Sequence, residues 1–298
     1  MYLYQFGMKK LPFCLTPDTD FYCPTTTHAE ALNVLRFAIN TGEALVKIVG
    51  EVGTGKTLIC RVLINELGNS QKVAYIPYPK LSARELSFSL ANELGLRINS
   101  HCRDDQLNQR IQTRLLNLNK KSGPVILIID EAQLLTNDCL ETLRLWTNLE
   151  TEQRKLIQIV LFGQPELDVK LSSSELRQIK QRITFSYQLN VLNRKQTYTY
   201  VKQRLEKSSR FKIEYNRVVN ILLHHYSKGV PRLINILCHK SLLLAYAQRK
   251  KSITFSNVLR AAKDTESINT WWQNYGLRLV AFFMLFTSGS AMAIWGLI

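Results

Sequence analysis

The sequence predicts an α/β domain built on a parallel sheet, followed by a basic all-helical domain and one terminal apolar helix. Three observations predict it. Five apolar, β-branched runs alternate with amphipathic stretches as far as residue 190, only helical periodicity follows them, and the last 20 residues carry no charge.

The five runs are ALVKIVG (44–50), VAYIP (73–77), PVILIID (124–130), LIQIVLFG (156–163) and ITFSYQL (183–189). Between them, 58–67, 82–94, 104–119 and 137–150 place apolar residues at helical spacing. Strands that alternate with helices make crossover units, hence a five-stranded parallel sheet covered on both faces. The third and fourth runs are almost wholly apolar, as strands buried on both sides must be. Beyond residue 190, helices are expected over 194–208, 214–227 and 231–249, where Val218, Ile221 and Leu222, and then Leu233, Ile236 and Leu237, recur on one face. Gly229 and Pro231 separate the second of these from the third, and Ser256 is placed to cap a short fourth helix running to Ala262. The expected divisions are an N-terminal segment (1–25), an α/β core (26–190), a helical domain (191–270) and a terminal helix (277–298).

Charge is distributed unevenly. The whole chain carries +16, and residues 191–276, with 16 basic and 4 acidic side chains, hold +12 of it. A helical domain so basic faces either a solvated exterior or an anionic partner such as nucleic acid or lipid head groups. The six cysteines are scattered without a C-x-x-C pair, which argues against a disulfide framework or a zinc site and fits a reducing compartment. Cys60, Cys139 and Cys238 lie in apolar helical patterns and read as small buried hydrophobes. His224 and His225 lack a third ligand and read as helix surface and core. The N-terminus has no apolar stretch of the kind a secretory signal needs.

The final stretch, LVAFFMLFTSGSAMAIWGLI (279–298), has the length that spans a bilayer as a helix. Trp271, Trp272 and Tyr275 before it and Trp295 near its end suit interfacial anchors, and Arg278 can reach the near head groups. The basic domain just before it places the N-terminal part on the cytoplasmic side, where each Lys or Arg near the leaflet gains about 1 kcal/mol from anionic lipid.

The chemistry is concentrated in GEVGTGKT, residues 50–57, between the first strand and the helix that follows. Gly50, Gly53 and Gly55 allow the backbone to curl until its N–H groups point at a phosphate, with Glu51, Val52 and Thr54 completing the loop. The helix start adds partial positive charge, Lys56 reaches the β and γ phosphates, and the Thr57 hydroxyl ligates magnesium. The third strand ends in Asp130, whose carboxylate can hold magnesium, and Glu131 follows, where a carboxylate can polarise an attacking water. ATP and Mg²⁺ are the cofactors this pairing calls for.

In these motifs the sequence resembles the AAA+ ATPases. Within that class it is similar to the secretion ATPases of the general secretion pathway protein A family, closest to the ATPases of MSHA (mannose-sensitive haemagglutinin) type IV pilus biogenesis. The segments that carry the likeness are PFCLTPDTDFY, HAEAL, GEVGTGKT, IIDEAQLL, LFGQPEL, LRQIKQRI and GVPRLIN, which together extend over nearly the whole chain. The resemblance implies that Asp130 is the magnesium-side residue and Glu131 the catalytic base, and that Gln164 is a polar sensor of the γ-phosphate or water. It makes Arg232 the arginine of a helical lid, and Arg182, or in competition with it Arg177, an arginine finger supplied to a neighbouring subunit.

A finger in trans implies a homo-oligomer. The expected function is ATP hydrolysis by an inner-membrane protein with its ATPase domain in the cytoplasm, supporting a type IV pilus or type II secretion machine and its membrane proteins. The longer secretion ATPases continue past the membrane into a peptidoglycan-binding domain, so direct cell-wall binding is not expected of a chain ending at Ile298. The alternative is a DNA-dependent AAA+ ATPase of transposition or replication initiation, which would share the loop, the strand-end acids and a basic lid.

Overall fold

The computed structural model of the protein describes residues 2–265 apart from positions 69, 100, 210–212 and 214. The chain divides into two compact units, Thr16–Leu192 and a second that joins Met1–Leu15 to the chain from Asn193 onward. Residues 1–25 therefore do not form one segment. A four-residue helix, α1 (Tyr2–Gln5), opens the chain in the second unit.

The α/β unit begins with α2 (Thr26–Thr41) and continues β1 (Leu45–Gly50), α3 (Lys56–Leu67), β2 (Val73–Ile76), α4 (Ala83–Glu93), α5 (Asp104–Ser122) and β3 (Val125–Ile129). It closes with α6 (Asn137–Trp146), β4 (Ile157–Gly163), α7 (Pro165–Leu171), α8 (Arg177–Arg182) and β5 (Ile183–Leu189). The five strands form one parallel sheet in the order β2-β3-β4-β1-β5. All five predicted runs become strands, and β3 and β4 are buried along their whole length, as their unbroken apolarity requires. Successive side chains alternate between faces: Val46, Ile48, Ile126, Ile128, Val160 and Phe162 pack with α2 and α3, whereas Leu45, Val49, Leu127 and Ile129 pack with α4–α8.

Local chemistry sets the helix ends. Ser82 and Glu85 cap α4 reciprocally, the Ser82 N–H donating to Glu85 Oε2 at 2.7 Å and Ser82 Oγ accepting from the Glu85 N–H at 3.3 Å. Helix α5 runs to Ser122, beyond the expected residue 119, and stops at Gly123 with φ 80°. Helix α6 stops at Trp146 rather than 150. There the Thr147 hydroxyl donates to Arg144 O at 2.6 Å, and the chain turns through a loop whose ends pair at Glu150 and Lys155.

The helical unit contains α9 (Arg194–Ser208), α10 (Arg217–Ser227), α11 (Pro231–Ala247) and α12 (Phe255–Lys263). Helix α10 starts three residues later than expected because Asn216 is its cap, accepting the Val219 N–H at 2.8 Å. The cap of α12 is Thr254 and not Ser256, which lies inside the first turn. The Thr254 N–H donates to Asn257 Oδ1 at 3.0 Å, a reciprocal cap that Ser256 cannot form. The amino-terminal residues are stitched into this unit: the Lys9 N–H donates to Ser208 O at 2.8 Å, Arg204 Nη1 to Pro12 O at 2.8 Å, and Tyr2 Oη lies 3.0 Å from His239 Nδ1.

Cys60, Cys139 and Cys238 are buried in α3, α6 and α11, and Cys23 and Cys102 are buried too. His224 Nδ1 sits 3.0 Å from the Thr197 hydroxyl. Among the described residues no group of three His, Cys, Asp or Glu side chains is arranged to hold a metal, and no helix is long and apolar enough to cross a membrane. The span expected over 277–298 lies outside the described residues.

Candidate active site

Parallel strands all end at the same edge of a sheet, and here β1, β4 and β3 are neighbours, so the residues that follow them meet. After β1 comes the glycine loop. Its geometry demands glycine at two points. A Cβ on Gly50 would lie 2.9 Å from Thr54 Oγ1 and 3.0 Å from Leu189 Cβ, and Gly55 adopts φ 103° with His28 Nε2 3.1 Å from where its Cβ would be. Thr54 closes the loop on itself by donating its hydroxyl to Glu51 O at 2.8 Å. Glu51 and Val52 are exposed at the tip, and Gly53 has φ 82°.

Lys56 opens α3 and is nearly buried. Its ammonium donates to Gly50 O at 2.7 Å and Glu51 O at 3.0 Å, so the charge sits inside the curl of the loop. Burial lowers its pKa, opposed by the carboxylates of Glu131 and Asp130. The next residue, Thr57, donates its hydroxyl to Asp130 Oδ2 at 2.7 Å, across the intervening β4. Asp130 is buried, and burial pushes its carboxyl pKa up against the Thr57 hydroxyl and the Glu131 N–H that stabilise the anion. That N–H donates to Asp130 Oδ1 at 2.9 Å, with Glu131 in the left-handed region at φ 52°. Non-glycine residues rarely adopt that conformation, and here it turns the Glu131 side chain towards the end of β4.

At the end of β4, Gln164 Nε2 donates to Glu131 Oε2 at 2.9 Å. The site thus brings together the loop from Gly50 to Thr57, Asp130, Glu131 and Gln164. Thr57 and Asp130 present a hydroxyl and a carboxylate side by side, the hard oxygen donors a magnesium ion takes, and the raised pKa of Asp130 is the signature of a buried carboxylate that a cation would relieve.

Arg182 is not in this cluster. It is exposed at the end of α8, and Ile183 after it pairs with Leu45, the first residue of β1. It therefore lies at the opposite edge of the sheet from the loop, about 17 Å away for five residues of strand. Arg177 is also exposed, at the start of α8. Arg232 is exposed in the first turn of α11, directly after Pro231, and belongs to the helical unit.

Two site residues lie within the segments HAEAL and IIDEAQLL, but the sequence assigns neither a role. His28, buried in α2, has Nε2 2.8 Å from Thr54 O and so fixes the back of the loop. A lone histidine in an amphipathic helix gives no signal of this. Gln133 donates Nε2 to Glu131 Oε2 at 2.5 Å and accepts the Gln164 N–H on Oε1 at 3.0 Å. Its position two residues after Glu131, at the turn Ala132–Leu134, is the available clue.

Known proteins agree with this geometry. Residues 39–171 match the family described as AAA domain. Over 290 residues the chain is 34% identical to general secretion pathway protein A of Aeromonas hydrophila, covering 96% of this chain and 53% of that protein, so it spans about half the length of the curated relative it matches. Among solved structures, the Aeropyrum pernix ORC2 protein in its ADPNP–ADP complexes superposes with a TM-score of 0.67 at 16% identity, over 87% of this chain and 72% of that one. The Aeropyrum pernix ORC1 protein in complex with DNA gives 0.63 at 18% identity, over 86% and 69%. At such identities these likenesses are of fold, and it is the fold that the glycine loop and strand-end acids require. The chain carries an AAA domain on the α/β phosphate-loop fold, similar in sequence to general secretion pathway protein A.

Proposed function

We propose that the protein is a magnesium-dependent ATPase. The observation that carries this reading is the chain of contacts Thr57–Asp130–Glu131–Gln164 at the edge of the sheet where the phosphate loop opens. Lys56, released from the Gly50 and Glu51 carbonyls, meets the β and γ phosphates of ATP, and the loop N–H groups and the start of α3 hold the rest of the anion. Thr57 and Asp130 hold magnesium, which when bound neutralises charge on the phosphate oxygens. Glu131 orients and deprotonates the attacking water, Gln164 senses the γ-phosphate, and Arg232 serves as the lid arginine. Arg182, at the far edge of the sheet, suits the site of a neighbouring subunit in a homo-oligomer, with Arg177 as its competitor.

ATP turnover by the purified chain tests this reading. Lys56→Ala removes tight nucleotide binding, whereas Glu131→Gln keeps ATP bound and stops hydrolysis. A Glu131→Gln protein that turns over ATP at the wild-type rate overturns the role of Glu131.

The work done with that energy is read from the relative of similar sequence, whose name places it in secretion. We assign the protein to the assembly of a type IV, MSHA-like pilus or a type II secretion machine, as an inner-membrane protein held by residues 277–298, its ATPase domain cytoplasmic and its basic unit near anionic head groups. Cell fractionation of the full chain against a chain ending at Thr270 tests the anchor. A full chain recovered in the soluble fraction removes it. One observation favours a second reading, a DNA-dependent ATPase: the +12 charge of residues 191–276, on a fold shared with an ORC1 protein solved with DNA. Hydrolysis stimulated severalfold by duplex DNA, and lost at high salt, would select it.

A further inference from the structure

The turn after β3 contains a device that phosphate-loop and strand-end motifs do not account for. Gln133 uses both ends of its amide: Nε2 donates to the Glu131 carboxylate at 2.5 Å, while Oε1 accepts the backbone N–H of Gln164 at 3.0 Å. Gln164 in turn donates its side-chain amide to the same Glu131 oxygen at 2.9 Å. The three residues form a closed circuit in which Glu131 Oε2 receives two amide donors. The turn is also pinned from outside. Lys170 on α7 donates to Gln133 O at 2.8 Å and Leu135 O at 2.6 Å, and Asp168 on the same helix pairs with Lys47 of β1. Helix α7, which starts at Pro165 directly after Gln164, is thus tied to both β1 and the Glu131 turn.

We propose that Gln133 is a positioning residue that holds Glu131 and Gln164 as one unit, so that the water-orienting carboxylate follows the residue facing the γ-phosphate. The inference rests on the ATPase reading above. An amide is suited to this because it donates and accepts at once: a carboxylate at 133 would repel Glu131, and an apolar side chain would leave both the Glu131 carboxylate and the Gln164 N–H short of a partner. Holding the base at fixed reach of the water affects the transition state more than nucleotide binding, so loss of the bridge lowers kcat and leaves ATP affinity nearly alone.

Gln133→Met keeps length and volume but removes both hydrogen bonds. Hydrogen bonds to a charged group are strong enough that kcat is expected to fall about 10- to 100-fold, with ATP affinity held within about threefold. Gln133→Glu supplies the second readout. It keeps the length and an acceptor for the Gln164 N–H but offers Glu131 a second carboxylate in place of a donor, so kcat is expected to fall at least as far as in Gln133→Met, with ATP affinity again within about threefold, a split that a merely structural role would not produce.

Thermal unfolding of each variant accompanies the rates, and the kcat and ATP affinity of the folded Gln133→Glu protein decide the matter if Gln133→Met is unstable. A Gln133→Met protein with wild-type kcat, one that loses nucleotide binding together with kcat, or a folded Gln133→Glu protein with wild-type kcat overturns the inference. Glu131→Gln, assayed alongside, separates the two claims. If it stops turnover while the Gln133 variants behave as wild type, this inference alone fails, and if it leaves turnover intact, the role of Glu131 as base fails first.

Discussion

In the α/β unit, His28, Thr54, Lys56 and Asp130 are buried close together where β1 and β3 end, above layers that are almost wholly aliphatic. In the helical unit the buried polar side chains are spread along the helices, and several join two segments. Tyr200 of α9 donates to Asn235 of α11 at 2.9 Å, Asn220 of α10 donates to Arg194 O at 2.9 Å, and Arg204 of α9 reaches Pro12 O at 2.8 Å. Burying polar groups costs free energy unless they are paired. The α/β unit gathers part of that cost at one edge, where a ligand can compensate it, and the helical unit distributes it, partly as internal cross-links. A sheet gets its register from backbone bonds and alternating apolar faces, whereas helices that slide on one another need specific polar pairs to fix which turn meets which.

The largest effect expected from this arrangement comes from the edge of the sheet opposite the site. Arg182→Ala should leave ATP binding by each subunit nearly intact and lower hydrolysis by on the order of 10³ to 10⁵ if Arg182 completes a neighbour's site. Mixing Arg182→Ala subunits with Glu131→Gln subunits then restores part of the activity, through interfaces that keep one intact copy of each residue. Two inactive parents without rescue, at concentrations where the protein oligomerises, count against Arg182 and turn attention to Arg177.

Next in size is the aliphatic interior. Phe162, fully buried in β4, leaves a cavity on Phe162→Ala, and chemical denaturation should register a loss of about 3–5 kcal/mol. The cross-links of the helical unit should behave differently. Asn235→Leu removes the acceptor that the Tyr200 hydroxyl uses across the two helices and costs about 1–3 kcal/mol, yet adding Tyr200→Phe, which removes the donor as well, should recover much of it. A double variant as unstable as the sum of the two singles would mean that packing, and not the hydrogen bond, holds α9 to α11.

The smallest effect is one of sign. The folded-state pKa of Asp130 is raised, mainly by burial, so its contribution to stability is fully present below the ordinary carboxylate range and is lost as pH rises through the folded value. Asp130→Asn removes that loss and can keep the partners, Oδ1 accepting the Glu131 N–H and the amide donating to Thr57. The nucleotide-free variant should melt at a higher temperature than wild type at neutral pH, with the difference closing as pH falls to about 4. A variant less stable than wild type at pH 7 would show that the Thr57 contact outweighs the burial of charge.

Five strands, the helices between them and the helical unit after residue 190 were legible because each depends on a local period: two for a strand, 3.6 for a helix. Element ends were less so. Thr254 displaced Ser256 as the cap of α12 because the choice depends on what Asn257 can reach, and α6 ended early because residues 147–156 make the turn that precedes β4. The loop residues Gly50–Thr57 and the pair Asp130 and Glu131 were readable because their chemistry is carried by contiguous residues with a strand on the amino-terminal side.

The sequence by itself determined that a phosphate loop and two strand-end acids exist, since backbone curl, helix start and carboxylate pair are all local features. Only the tertiary structure decided that β4 would lie between β1 and β3, which brings Gln164 to Glu131, and that His28 would buttress the loop from 26 residues away in sequence. It also decided that the first 15 residues would join a unit whose other parts begin at Asn193, and that Gln133 would bridge two strand ends. These depend on contacts between residues far apart in the chain. A one-dimensional pattern encodes which face of each element is apolar, but the partner each face meets is settled only when the packed layers exclude the alternatives.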